Sequence, residues 1–230
     1  MQRSVAKSIV YSKRRATGAL LSLCLLLPTP VTAQEFPNAV GRISAVDADG
    51  NRLGDAICTG TLIAPDLVLT EGHCLKGATG RNHIFQPAFG APFVDLTIRG
   101  AAVEPLPIRE TGVLGLDNDL ALLRLSEPIR EDQAKPVPVT GTAENGAAWF
   151  FGYDRAAPDH LPDARPCKTL ARFPDIAPRV IALDCPVTSG NSGGPLIVDG
   201  PKGPALVAVM VAKGQPPFNA FAVVPPELAQ

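Results

Sequence analysis

Ser192 stands in the run Gly190-Asn191-Ser192-Gly193-Gly194-Pro195-Leu196, where three glycines and a proline surround one hydroxyl. Glycine-rich backbone of this kind turns tightly and puts little bulk over the serine, which leaves the hydroxyl open to a reacting carbonyl. A serine attacks an acyl group only when a base takes its proton and a further group holds that base in the right tautomer. The chain has three histidines, His73, His83 and His160. His73 is the candidate base: it closes the apolar run at 67–70 and precedes Cys74, so a strand and a disulfide would hold its backbone still. His83 follows Arg81-Asn82 and is expected in a solvated loop, as is His160 in the polar, proline-punctuated stretch 153–166.

The acid that orients the base should lie at the edge of a buried element. Asp119 fits, because it opens directly into Leu120-Ala121-Leu122-Leu123, and a charge entering a buried strand is too costly unless it is paired. Asp117 is nearby but outside the apolar run, and a solvated turn suits it better. Chain order then discriminates. Gly190-Asn191-Ser192-Gly193-Gly194 satisfies Gly-x-Ser-x-Gly, but in the α/β-hydrolase arrangement the histidine comes last, and no histidine follows Ser192. An aspartate-histidine-serine order would draw on Asp49 or Asp66, neither of which sits in a fitting element. The order His73, Asp119, Ser192 uses the best local context at all three positions.

These residues need a frame. Residues 1–33 have a basic lead, a short apolar run with Cys24 inside it, and small residues at Val31-Thr32-Ala33, the pattern of a cleaved export signal. The apolar run, 16–27, is shorter than the roughly 20 residues that cross a bilayer, so stable membrane insertion is not expected after cleavage. Setting aside the five basic and no acidic residues of that leader from totals of 21 and 22 leaves a net charge near minus 6, which disfavours a nucleic-acid surface. Cys58, Cys74, Cys167 and Cys185 remain, and an exported chain is expected to oxidise them. Of the three pairings, Cys58 with Cys74 and Cys167 with Cys185 closes the shortest loops; a zinc site is the alternative, though the spacings match no common finger.

Short apolar runs at 56–64, 67–70, 94–98 and 120–125, and again at 136–139, 147–152, 180–183, 196–198, 205–211 and 221–224, read as strands. The polar stretch 129–134 reads as a crossover between two halves. With 24 Pro and 21 Gly breaking helices and no helical pattern between strands, the chain is expected to be all-β, with antiparallel strands in two small barrels.

Cys58-Thr59-Gly60-Thr61-Leu62-Ile63 with Leu69-Thr70-Glu71-Gly72-His73-Cys74, then Asn118-Asp119-Leu120-Ala121-Leu122-Leu123, then the Ser192 run, together resemble the chymotrypsin-like (trypsin-like) serine peptidases. The resemblance covers residues 40–225 in outline. It implies two six-stranded antiparallel β-barrels packed with the active site between them: 34–130 carrying His73 and Asp119, and 131–230 carrying Ser192. It implies peptide-bond hydrolysis through a covalent acyl intermediate, with the Gly190 and Ser192 amides as oxyanion donors. It also places the primary pocket at Pro186, Val187 and Thr188, with Met210, Val211 and Lys213 on the opposite wall. Proline at the pocket base would disfavour cationic side chains and favour small or apolar ones, while Lys213 or Thr188 facing inward would admit an acidic one.

Two departures from the family pattern stand out. Glu71 replaces a small residue two positions before the histidine, so an extra acid lies at the site floor or turns outward. Asn191 replaces the aspartate that pairs with a new N-terminus in zymogen-activated members, so the chain resembles the bacterial-type branch. The expected partner is a polypeptide substrate; no metal, organic cofactor or nucleic acid is called for, and a monomer is the default. The location is expected to be periplasmic or extracellular. The competing expectations are an inactive barrel protein that binds peptides and an esterase using the same groups.

Overall fold

The computed structural model describes residues 38–91, 96–104, 106, 115–140, 147–200, 203–226 and 228. The export-signal reading of 1–33 and the start of the strand expected at 94–98 lie outside these residues. Among these residues twelve strands close into two antiparallel barrels. The first contains β1 (Val40–Val46), β2 (Arg52–Ala64), β3 (Leu67–Glu71), β4 (His83–Pro87), β5 (Ile98–Glu104) and β6 (Leu120–Leu125), arranged β1-β2-β3-β6-β5-β4. The second contains β7 (Ala147–Gly152), β8 (Asp163–Phe173), β9 (Ala177–Leu183), β10 (Pro195–Gly200), β11 (Gly203–Lys213) and β12 (Ala220–Val223), arranged β10-β11-β12-β9-β8-β7. Among the described residues closure leaves no edge strand to template aggregation. Among the described residues no helix is long and apolar enough to cross a membrane.

Several elements differ from the sequence reading, each for a physical reason. Residues 136–139 run extended but form only one bridge, Val139 with Leu206. This segment joins the barrels instead: Val137 N–H donates to Leu62 O at 2.9 Å, while Leu206 N–H donates to Pro138 O at 2.9 Å. The polar stretch 153–166 ends early, because β8 begins at Asp163 and carries Pro166 within it, opposite Trp149. β5 begins at Ile98, where the run at 94–98 was expected to end, and continues through Glu104.

His83 is not a solvated loop residue. It opens β4 against Ala45 of β1 and is 8% exposed, and burial holds its imidazole below the usual histidine range. His160 is exposed. Asp117 is likewise no solvated turn: it lies in the one-turn 3₁₀ helix Leu116–Asn118, is fully buried, and its Oδ1 accepts the Arg179 N–H of β9 at 3.0 Å. Both corrections have one cause. Each residue lies against a distant strand: His83 pairs with Ala45 of β1 while its ring bonds the adjacent Asn82 at 3.0 Å, and Asp117 accepts the Arg179 N–H of β9.

A second polar junction escaped the sequence altogether. Arg42 on β1 is only 4% exposed; its guanidinium donates to Gln86 Oε1, to Pro158 O at 2.8 Å and to Asp159 Oδ1 at 3.0 Å, and it stacks over Phe89 at 3.6 Å. A planar fork that satisfies several acceptors while stacking on a ring is the geometry by which arginine tolerates burial. It ties the first barrel to the loop before β8.

Candidate active site

His73 lies in the one-turn 3₁₀ helix Gly72–Leu75 that follows β3. Its position is fixed covalently, since Cys74 pairs with Cys58 of β2 through a 2.05 Å disulfide. The other pair, Cys167 of β8 with Cys185, is also a disulfide, so neither pair is free to ligate zinc. Asp119 follows the 3₁₀ turn that precedes β6 and is 9% exposed. Because β3 and β6 pair antiparallel with Glu71 opposite Leu120, the end of one strand meets the start of the other. Asp119 Oδ1 accepts the His73 main-chain N–H at 3.0 Å and Oδ2 bonds the ring Nδ1. The Asp119 carbonyl accepts the Gly72 N–H at 3.1 Å. Gly72 is required here, because a Cβ would stand 2.8 Å from Asp119 Oδ1.

Ser192 comes from the second barrel but is anchored on the first. Its carbonyl accepts the Thr59 N–H at 2.8 Å, while the Thr59 hydroxyl donates to Gly190 O at 2.8 Å and accepts the Tyr153 N–H at 2.9 Å. Thr70 on β3 donates its hydroxyl to Thr59 O at 2.7 Å, so the strand leading to His73 and the serine loop share one hydrogen-bonded seam. Gly193 has φ +81°, and a Cβ there would strike Thr70 Oγ1 at 2.1 Å and Thr59 O at 2.2 Å. The sequence pointed to the loop glycines but gave no sign of Thr59, whose role depends on partners more than ninety residues away.

Asn191 is 1% exposed and needs no charged partner: its Nδ2 donates to Tyr153 O at 2.8 Å and its Oδ1 accepts the Thr188 N–H at 2.9 Å. Around it, Asn191, Gly193 and Gly194 donate their amides to Thr188 O, Met210 O and Asn191 O. Among the described residues the Gly190 and Ser192 amides make no such bond.

A family profile described as "Trypsin-like peptidase domain" matches residues 58–206, most of the chain that the two barrels occupy. The chain belongs to the trypsin-like peptidase domain family. Human granzyme M is a relative, 29% identical over 185 residues, covering 69% of this chain and 70% of that protein.

In this trypsin-like domain the residues singled out for substrate selection divide. Pro186, Thr188 and Lys213 are exposed. Val187 and Met210 are buried together in one apolar core of the second barrel, and Val211 joins the other core cluster. An open apolar groove lined by Ile63, Leu67, Leu122, Pro138 and Leu228 lies elsewhere and contains none of them.

Glu71 does not turn outward. It ends β3 at 4% exposure, with Oε1 3.5 Å from His73 Nδ1 and Oε2 buried without a hydrogen-bond partner. Burial pushes its carboxyl up to about 7; the Ser192 hydroxyl pulls it down, the Asp119 charge pushes it up and His73 pulls it down again. The His73 side chain itself is 67% exposed, and among the described residues it makes no hydrogen bond to the Ser192 hydroxyl. The candidate ligand atoms of Glu71, His73 and Asp119 lie within 4.8 Å of one another, close enough for a cation in purely steric terms. Asp119 bonds His73 through both of its side-chain oxygens.

Proposed function

We propose that this chain is an exported serine endopeptidase that hydrolyses peptide bonds through Ser192, His73 and Asp119. The observation that carries this reading is the double attachment of Asp119 to His73, through the main-chain N–H and through Nδ1, beside a serine loop held on the same strand seam. Asp119 at Nδ1 leaves Nε2 as the basic nitrogen. His73 then takes the Ser192 proton as Oγ bonds to the scissile carbonyl carbon, and the Gly190 and Ser192 amides meet the charge on the former carbonyl oxygen. Collapse of the tetrahedral species expels the amine, which receives that proton from His73 and leaves an acyl ester on Ser192. Water, deprotonated by His73, releases the acid and restores the serine.

The neutral Asn191, bonded through Nδ2 to Tyr153 O and through Oδ1 to the Thr188 N–H, supports a bacterial-type domain that needs no charged N-terminus to order the serine loop. The two disulfides support an oxidising destination, periplasmic or extracellular. For substrate choice, proline at position 186 supports small or apolar side chains before the cleaved bond.

The test is covalent labelling of the purified protein with a fluorophosphonate, read by intact mass and site mapping, with Ser192→Ala and His73→Ala alongside. Stoichiometric labelling of Ser192 that both variants abolish is the expected result. A folded, doubly disulfide-bonded protein that no fluorophosphonate labels would overturn the reading in favour of a peptide-binding barrel. Cleavage of small esters while a peptide library stays intact would favour an esterase.

A further inference from the structure

β1 buries a guanidinium where an aliphatic side chain would fill the space with no charge to desolvate. Arg42 is 4% exposed, and its carboxylate partner, Asp159, is itself 76% exposed at the side chain. What the fork adds is reach. Nη1 donates to Pro158 O at 2.8 Å and to Asp159 Oδ1 at 3.0 Å, 116 and 117 positions away, while Gln86 Oε1 accepts from Nη2 at 2.8 Å and the plane lies on Phe89. The segment it grips, 153–162, joins β7 to β8. Arg42 is also the register partner of Thr59 on β2 and of Gln86 on β4, so the three side chains line one row on the same face of the first barrel. Thr59 grips the other end of that segment, at the Tyr153 N–H. Two neighbours on the first barrel therefore hold one segment of the second at both ends.

The start of the same segment carries the serine loop. Tyr153 O accepts from Asn191 Nδ2 at 2.8 Å, and the Arg155 N–H donates to Ser189 O at 2.8 Å. Gly190, between those two attachments, is packed so closely that a Cβ would stand 2.8 Å from both Tyr153 O and Arg155 N, on a backbone at φ +100°. From there to the Arg42 end the segment braces itself: the Ala156 N–H donates to Asp154 Oδ1 at 2.8 Å, the Ala157 N–H to Asp154 O at 3.0 Å and the His160 N–H to Ala157 O at 3.1 Å. A turn braced in this way moves as one piece, so a displacement at Pro158 reaches Gly190. We propose that Arg42 is a positioning residue for the reaction: by fixing Pro158 and Asp159 it sets the place of the Gly190 and Ser192 amides that meet the oxyanion. The proposal rests on the reading of Ser192 as the nucleophile. Donors of this kind act only when held within a fraction of an ångström of the productive geometry, which the groups behind them must secure.

The test compares the purified native protein with Arg42→Met, Arg42→Lys and, as a control, Val46→Ala, in p-nitrophenyl acetate hydrolysis and in amide NMR, well below the unfolding temperature of each. Methionine keeps an apolar stem and loses every donor, while lysine keeps the charge and loses the fork. Val46 ends β1 at 1% exposure, and its side chain takes no part in these bonds, so its truncation reports loss of stability alone. In Arg42→Met, kcat should fall by about 10- to 100-fold while KM changes by less than about twofold, because misplaced amides are felt in the transition state and not in ground-state binding. Arg42→Lys should lie between it and the native protein. The Gly190 and Ser192 amide signals should shift in Arg42→Met and stay in Val46→Ala. An equal fall of kcat in Val46→Ala would reduce Arg42 to a folding contact and overturn the proposal, and so would signals at 157–160 that shift while those of Gly190 and Ser192 stay. If Arg42→Met does not fold, Arg42→Lys and Asp159→Ala carry the same test, and native kcat with native Gly190 and Ser192 signals in both overturns it. A native protein that neither hydrolyses the ester nor takes up a fluorophosphonate overturns the enzyme reading instead, and the amide signals then decide the Arg42 clamp by themselves.

Discussion

The hydroxyl of Thr59, on β2 next to Cys58, donates to the carbonyl of Gly190 in the serine loop at 2.8 Å, and the same oxygen accepts the Tyr153 amide at 2.9 Å. One side chain therefore satisfies two main-chain groups of the second barrel. Thr59→Val keeps the shape and removes both bonds, leaving a buried carbonyl and a buried amide unpaired. The expected loss is about 1–3 kcal/mol in urea unfolding, with slower labelling at Ser192, and Thr59→Ser should recover most of both.

Asp119→Asn should act on chemistry far more than on folding. The amide places a donor where Nδ1 needs an acceptor and so favours the wrong imidazole tautomer. Steady-state peptide cleavage should drop by roughly four orders of magnitude, while the urea midpoint moves little. A comparable collapse of the unfolding midpoint would mean that the Asp119–His73 contact is chiefly a folding contact.

Stability should depend on pH through Glu71. Its carboxyl titrates higher in the folded chain than the ordinary value of 4.5, at about 7, so between these limits the folded state holds more protons than the unfolded one. Stability is then full below about pH 4.5 and declines as pH rises to about 7. Glu71→Gln should lack that decline, and the two proteins should diverge by at most about 3 kcal/mol between pH 4.5 and pH 7.5 in denaturant titrations.

Removing the Cys58–Cys74 bridge by a double alanine substitution should cost on the order of 3 kcal/mol, given its sequence separation of 16. It should also slow labelling, because Cys74 adjoins His73. The bridge between Cys167 and Cys185, with a separation of 18, should contribute similar stability. Removing that second bridge should leave the Asp119–His73 contact intact, which the NMR signal of the Nδ1 proton can report.

Gly193→Ala should fail to fold or lose well over 3 kcal/mol, since its Cβ would lie 2.1 Å from Thr70 Oγ1 on a backbone at φ +81°. Thermal unfolding measures this directly.

How much of this could be read from residue order depends on how local each cause is. β6 could be read because Leu120-Ala121-Leu122-Leu123 is apolar on both faces and Asp119 marks its beginning. β11 and β12 announced themselves in the same way. β1 and β4 did not, because Arg42, Ser44, His83 and Gln86 break the apolar pattern although all four are buried. Arg42 is satisfied by Asp159 and Pro158, residues 116 or more positions away, and no nearby stretch hints at them. β8 was hidden by Pro166 and by an alternation whose outward residues include Leu170. At the site, strand-end context singled out His73 and Asp119, and loop glycines singled out Ser192. The substitution at Glu71 was visible, but its inward direction was not: that follows from the pairing of β3 with β6.

The seam at Thr59 also sets a schedule. Its bond to Gly190 spans 131 positions, so the strand is synthesised long before the loop it will hold. Contacts of such range form late, because the chain must first surrender the entropy of the intervening segment. A growing chain, or one being threaded unfolded, carries the histidine and the acid without a shaped serine loop. On the proposed mechanism it gains a shaped serine loop only when the second barrel closes onto the first.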